Sequence, residues 1–297
     1  MKKLEKYGMI ISKSINNYEP TDIRYLKPTI YCEDIEKDEA LVMQSVDVVK
    51  DKNYDLKYFT PNNVALLRWQ ADEALKEYND ILTNYVLKNN LGPKYDNIAD
   101  KTEIISMTSS MVYTMIKYAQ TAIICSYTCI EAFVNLSIPV DYEYTFKNNK
   151  GIKEVYEKEQ IERWLPLSTK LKDIMCHIYG TPQINQEKLW EMFIKLEEMR
   201  NAIIHQKSIN TNDFYIKYFE EKTIEIINVY NEVINFFSLK STKNKNFSLM
   251  IWPFIREEKG IAIPVIQKRF EPSFLNIIRN EDGEDKKYII INVKEDK

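Results

Sequence analysis

The chain has 297 residues, 44% of them hydrophobic, which suits one large domain or two modest ones and argues against wholesale disorder. Its 41 basic and 44 acidic residues leave a formal charge of −3, so no bulk cationic field marks a nucleic-acid binder, and any such contact needs a local patch. Four cysteines are too sparse for a disulfide framework, and the one-turn spacing of Cys125 and Cys129 suits neither a CxxC redox motif nor a zinc knuckle.

Cys32, Cys125, Cys129 and Cys176 therefore read as small buried apolar groups. The 20 tyrosines against 6 glycines read as the composition of an AT-rich bacterial genome rather than as function. The start "MKKLEKYGMIISKSINNYEP" has neither the apolar core nor the small-residue cleavage site of a signal peptide. No run approaches the ~20 apolar residues of a membrane span, so no membrane association and a cytoplasmic location are expected.

In chain order, "YGMII", "KPTIYC" and "LVMQSVDVV" read as strands. From Pro61 the period becomes helical: Val64, Leu67, Ala71, Leu75, Tyr78, Leu82 and Tyr85 share one face, and Gly92-Pro93 ends the run. A second helix from Asp100 or Thr102 to Ile138 is apolar nearly all round and is expected at the centre of a bundle, with Ala122, Ser126 and Cys129 admitting a close neighbour. A short helix is expected over Glu154 to Trp164, another from Pro166 to Gly180, and a third from about Asn185. The last helix carries Asp213 near its start and apolar residues at Tyr218, Ile224, Ile227, Val229 and Ile234. Beyond "KSTKNKN" the segments "FSLMIWPFI", "GIAIPVIQKRF" and "KKYIIINV" read as strands, with "NEDGEDKK" as a turn.

The expected fold class is α+β: a mainly α-helical up-and-down bundle with a small β layer from the two ends. The domains would be 1–61, strand-like; 62–240, the bundle; and 241–297, strand-rich and able to pack with the first.

The helix ending in "KLEEMRNAIIHQKS" carries one of only two histidines. On an ideal helix at about 100° per residue from Met192, Leu196, Met199 and Ile203 form the buried stripe. Arg200 then lies at about 80°, Ile204 at about 120°, Asn201 at about 180° and His205 at about 220°. Asn201 and His205 are thus neighbours away from the stripe, with Arg200 on its flank. Ile204 on this polar side implies that the face meets another helix or a second subunit. Spacing alone leaves open a surface histidine at a helix end.

"RNAIIH" resembles the R-x4-H form of the Rx4-6H signature of the HEPN superfamily, with Asn201 as the polar residue that usually follows the arginine. The preceding long helix with "SYTCIEAFVNL" is similar to the helix that commonly precedes the signature helix. The resemblance covers roughly 62–240 and implies a HEPN-like bundle. It also implies a metal-independent endoribonuclease without a cofactor, common in toxin–antitoxin and abortive-infection systems. Such proteins usually act as homodimers whose signature helices line one cleft. Carried over by position, Arg200 would bind and stabilise the scissile phosphate, and His205 would be a general acid/base in attack by the ribose 2′-hydroxyl or in leaving-group departure. Asn201 would orient the histidine or a phosphate oxygen. The expected partners are RNA, a second copy, and an antitoxin or regulatory protein in phage defence. Lys207 stands where one subgroup has a tyrosine, so regulation by modification of that tyrosine is not implied. Many members have lost catalysis and serve as helical binding modules, so the alternative is a silent interaction protein of the same fold.

Glu131, in an apolar stretch, needs a partner and could pair with Arg200, or hydrogen-bond elsewhere in the bundle. Glu197 reads as a surface ion pair and His177 as a helix-terminal residue. Lys240, Lys243 and Lys245 read as solvated, and Trp164, Trp190 and Trp252 as core. No P-loop, dinucleotide fingerprint, zinc spacing or nucleophile elbow is found, and no metal site is expected.

Overall fold

The computed structural model describes residues 3–13, 22, 24–34, 39–88, 101–147, 150–205 and 214–240, together with the strand residues 256–257, 260–261, 265–266, 275–278 and 289–293. The protein is of α+β type and divides into two units, residues 1–65 with 244–297, and 66–243.

The first unit is built on one sheet ordered β10-β11-β1-β3-β2-β9, with β4 also paired to β3. Long β1 (Lys3–Ser12) and β3 (Glu39–Asp51) lie antiparallel, with Tyr7 opposite Val46 and Ile10 opposite Met43. Ile10, Val42, Met43 and Val48 are buried, and since Val42 and Met43 are adjacent in β3, this stretch of the strand is covered on both faces. β2 (Thr29–Asp34) and β4 (Tyr54–Phe59) both run antiparallel to β3. The terminal segments join here: β11 (Ile289–Val293) pairs with β1, β10 (Leu275–Ile278) with β11, and β9 (Val265–Ile266) runs parallel to β2. β4 and β10 had no counterpart among the expected strands. "FSLMIWPFI" and "NEDGEDKK" lie outside the described residues, apart from nothing in their span that is a described strand. A separate short pair joins β7 (Arg256–Glu257) and β8 (Gly260–Ile261).

Burial pushes the Lys27 ammonium down from 10.5 to about 7. A depressed lysine opposes folding most at and below pH 7, and the penalty fades as pH rises toward 10.5, where the unfolded chain also loses the proton. Lys27→Met is therefore expected to raise the thermal midpoint more at pH 7 than at pH 10. Equal shifts at the two pH values would show that the lysine is not desolvated.

α1 (Asn63–Ile81) starts where buried Asn62 accepts the amides of Val64 and Ala65 at 3.0 and 3.3 Å, a side-chain cap on the first turn. It runs on into a π-helical turn, Leu82–Leu87. The wider turn rotates the stripe, so Leu82 is buried while Tyr85, expected on the same face, is exposed. The expected stop at Gly92-Pro93 lies outside the described residues.

The second unit is centred on α2 (Lys101–Ser137), packed against α5 (Leu189–Ile204) and α6 (Lys222–Lys240). Ala119, Ala122, Ile123, Ser126, Cys129, Ile130 and Phe133 are buried, so the small residues do admit close neighbours. The first part of α2 corrects the expectation of an all-round buried helix, since Met107 and Tyr113 are exposed. An aromatic cluster of Phe133, Tyr179 and Phe237 joins α2, the helical turn Cys176–Tyr179 and α6, with ring centroids 5.6–6.1 Å apart. Two buried tyrosines find polar partners: Tyr78 donates to the Tyr218 carbonyl at 2.9 Å, and Tyr230 to Asp72.

Three boundaries differ from expectation. Glu154 is not the start of a helix: Lys153–Tyr156 is strand β6, paired with β5 (Tyr144–Lys147), and α3 spans Lys158–Trp164. Its capping box, Glu157 with Gln160, sets the later start. α4 follows as Leu167–Thr169, a π-helical Lys170–Met175 and Cys176–Tyr179, closed by Gly180 at φ 63°. Around Asn185 the chain makes only a 3-10 turn, and α5 begins at Leu189. Asp213 is outside the described residues; Ile216–Phe219 is a 3-10 turn and α6 begins at Lys222.

Candidate functional site at the end of α5

α5 buries Phe193, Leu196 and Met199, and this stripe orients the rest of the helix. Arg200 is half-buried at its flank, and Asn201, Ile204 and His205 are exposed. His205 is the helix's C-terminal cap, its amide donating to the Asn201 carbonyl at 2.9 Å. The motif thus sits on the last turn, with its imidazole open to solvent.

Arg200 is held from below by α2. Its guanidinium lies 4.9 Å from the centre of the Tyr127 ring, and its Nη1 donates to Asn201 Oδ1 at 3.0 Å. A cation over an aromatic face is attracted by the ring quadrupole. Tyr127 is itself buried and donates its hydroxyl to Glu197 Oε1 at 3.0 Å. Burial first, then the Glu197 charge, pushes the Tyr127 hydroxyl well above the usual range, so it stays a proton donor. Glu197 and Arg200, three apart on α5, therefore converge on one α2 side chain. Glu197 is not the free surface ion pair expected of it.

Glu131 makes no ion pair with Arg200. It is half-buried, and its charge acts on the Tyr127 hydroxyl and on Lys170. Lys170, nearly fully buried, donates to Asn135 Oδ1 at 3.0 Å and to the Glu162 carbonyl at 2.8 Å. Burial lowers its pKa, with Glu131 and Glu162 opposing. Tyr127 escaped sequence reasoning because it was one tyrosine among 20. The available signal was its position one turn before Glu131 in "SYTCIEAF". Tyr127→Phe keeps the ring under Arg200 and leaves Glu197 without its donor. It is expected to cost about 0.5–1.5 kcal/mol in chemical denaturation, and an unchanged midpoint would deny the bond any weight.

The other candidates fall away from this cluster. His177 is exposed and meets the Tyr142 ring edge-on at 6.2 Å. Lys240 pairs with Glu187 at 2.5 Å, and Lys243 and Lys245 lie outside the described residues. Trp164 corrects the expectation of a core residue, being 59% exposed, while Trp190 is half-buried against Phe193 and Trp252 is outside the described residues. Cys129 and Cys176 are buried, and burial pushes the Cys129 thiol up to about 12, which leaves it inert. The side chain of Cys32 is outside the described residues. A groove of about 380 Å³ on the sheet of the first unit is lined by Met9, Val46 and Val48 together with Lys50, Asp55 and Lys57. Among the described residues no group of three or more His, Cys, Asp or Glu could hold a metal ion, and no helix is long and apolar enough to cross a membrane.

No protein-family model, curated protein or solved structure matches the chain.

Proposed function

We propose that this chain is a cytoplasmic bacterial endoribonuclease of HEPN type, its second unit a HEPN-like bundle, acting without metal or cofactor in phage defence or a toxin–antitoxin pair. The observation that supports it is the placement of Arg200, Asn201 and His205 together on the solvent-facing last turn of α5, with the guanidinium braced by Tyr127. A braced guanidinium can bind a phosphodiester with little further ordering.

In the proposed reaction a histidine takes the proton from a ribose 2′-hydroxyl. The 2′-oxygen bonds to phosphorus, the bond from phosphorus to the 5′-oxygen breaks, and an acid protonates the departing oxygen. The products are a 2′,3′-cyclic phosphate and a 5′-hydroxyl. Arg200 neutralises charge on the non-bridging oxygens as it builds. A homodimer with two α5 termini in one cleft supplies base and acid from two copies of His205, with Ile204 as a contact. The test is incubation with RNA in EDTA, where cleavage by the parent chain and its absence with His205→Ala and Arg200→Ala are expected. Equal cleavage by all three overturns the proposal.

The exposed Ile204, 49% accessible beside the motif, favours a second reading, a silent helical module that binds a protein through this face. In that case the parent chain leaves RNA intact.

A further inference from the structure

Every residue of β4 from Tyr54 to Tyr58 is exposed, and among the described residues this strand pairs only with β3. Such an edge offers unpaired amides and carbonyls to a further strand. Tyr54, Leu56 and Tyr58, at 45%, 55% and 38% exposure, fall on one face, and Asp55 and Lys57 on the other. The Thr60 amide donates to the Ser45 carbonyl at 2.9 Å. By the alternation of an antiparallel ladder, residues 54, 56 and 58 turn their amides to β3, while 55, 57 and 59 turn theirs to the open edge.

We propose that β4 is a self-association edge, through which two copies of the chain pair antiparallel about a two-fold axis at Leu56. In that register Leu56 faces its own copy, Tyr54 faces Tyr58, and Asp55 faces Lys57 twice over. Residues 55 and 57 both present their amides outward, so they form the hydrogen-bonded pairs, and Leu56 with its copy forms the closer, non-bonded pair. Shifting the axis to Lys57 sets lysine on lysine, and shifting it to Asp55 sets aspartate on aspartate, both destabilising. Axes between residues would match outward amides with inward ones and put side chains on opposite faces. Charges on an edge strand ordinarily block pairing. Here they are of opposite sign and two apart, so one two-fold register neutralises both.

The interface is independent of the α5 site, so its test uses the full chain and a cross-link at β4. Leu56→Cys, oxidised, is expected to give a disulfide-linked dimer that the parent chain does not give, because directly opposed non-bonded positions lie within disulfide reach. In that background Asp55→Lys and Lys57→Asp, each alone, set like charges opposite one another and should weaken self-association about tenfold or more in sedimentation. The double exchange, Asp55→Lys with Lys57→Asp, should restore it. An equimolar mixture of the two single exchanges should cross-link although neither does alone. Absence of the Leu56→Cys cross-link in the otherwise unaltered chain overturns the proposal, as does equal cross-linking in all variants.

Discussion

His205→Ala is expected to lower metal-independent RNA cleavage by about 10²–10⁴-fold, the ordinary contribution of a positioned acid/base group. Arg200→Ala is expected to lower it by about 10²–10³-fold, as loss of one transition-state charge partner does elsewhere. Arg200→Lys should recover little, because an ammonium cannot reproduce the planar fork toward phosphate or the stacking on Tyr127. The substitutions should leave the fold intact, since His205 is exposed and Arg200 half-buried beside the stripe of Phe193, Leu196 and Met199. Initial rates in EDTA, with circular dichroism to check folding, measure the effect. A His205→Ala chain as fast as the parent would remove the imidazole from the mechanism.

Phe237→Ala is expected to carry the largest stability loss, about 3–5 kcal/mol. The ring is fully buried and touches Phe133 and Tyr179, so its removal leaves a cavity between three helices. Thermal unfolding followed by circular dichroism should show a midpoint lower by roughly 6–20 °C for a unit of this size. Leu239→Ala, at a position 73% exposed two residues on, should stay within about 0.5 kcal/mol of the parent. Similar losses for the two would mean that the aromatic cluster does not anchor the bundle.

Periodicity carried the helices because their stripes are long: α2 and α6 bury the positions that the pattern selects, among them Ala122, Cys129, Ile227 and Ile234. It failed where local hydrogen bonding decides. The capping box at Glu157 and Gln160 moved one helix start past Glu154, and the π turn after Ile81 rotated Tyr85 outward. β4 was illegible because "YDLKYF" is exposed on both faces and has no buried alternation to mark it. At the site, spacing on an ideal helix placed Asn201 and His205 away from the buried stripe of α5 and Arg200 on its flank, where the structure has them exposed and half-buried respectively. The partner of Arg200 was not legible, because the contact with Tyr127 joins residues far apart in sequence on two helices. Only packing of α2 on α5 creates it.

In the proposed reaction Arg200 and His205 act on a phosphodiester through the neighbouring 2′-hydroxyl. One measurement reaches it directly: cleavage in EDTA of an RNA oligonucleotide beside its fully 2′-O-methylated counterpart, with the product ends identified. The RNA should be cut to 2′,3′-cyclic phosphate and 5′-hydroxyl ends by the parent chain and not by His205→Ala, and the methylated strand should stay whole. Cutting of both strands, or an RNA left intact by the parent chain, would contradict the account.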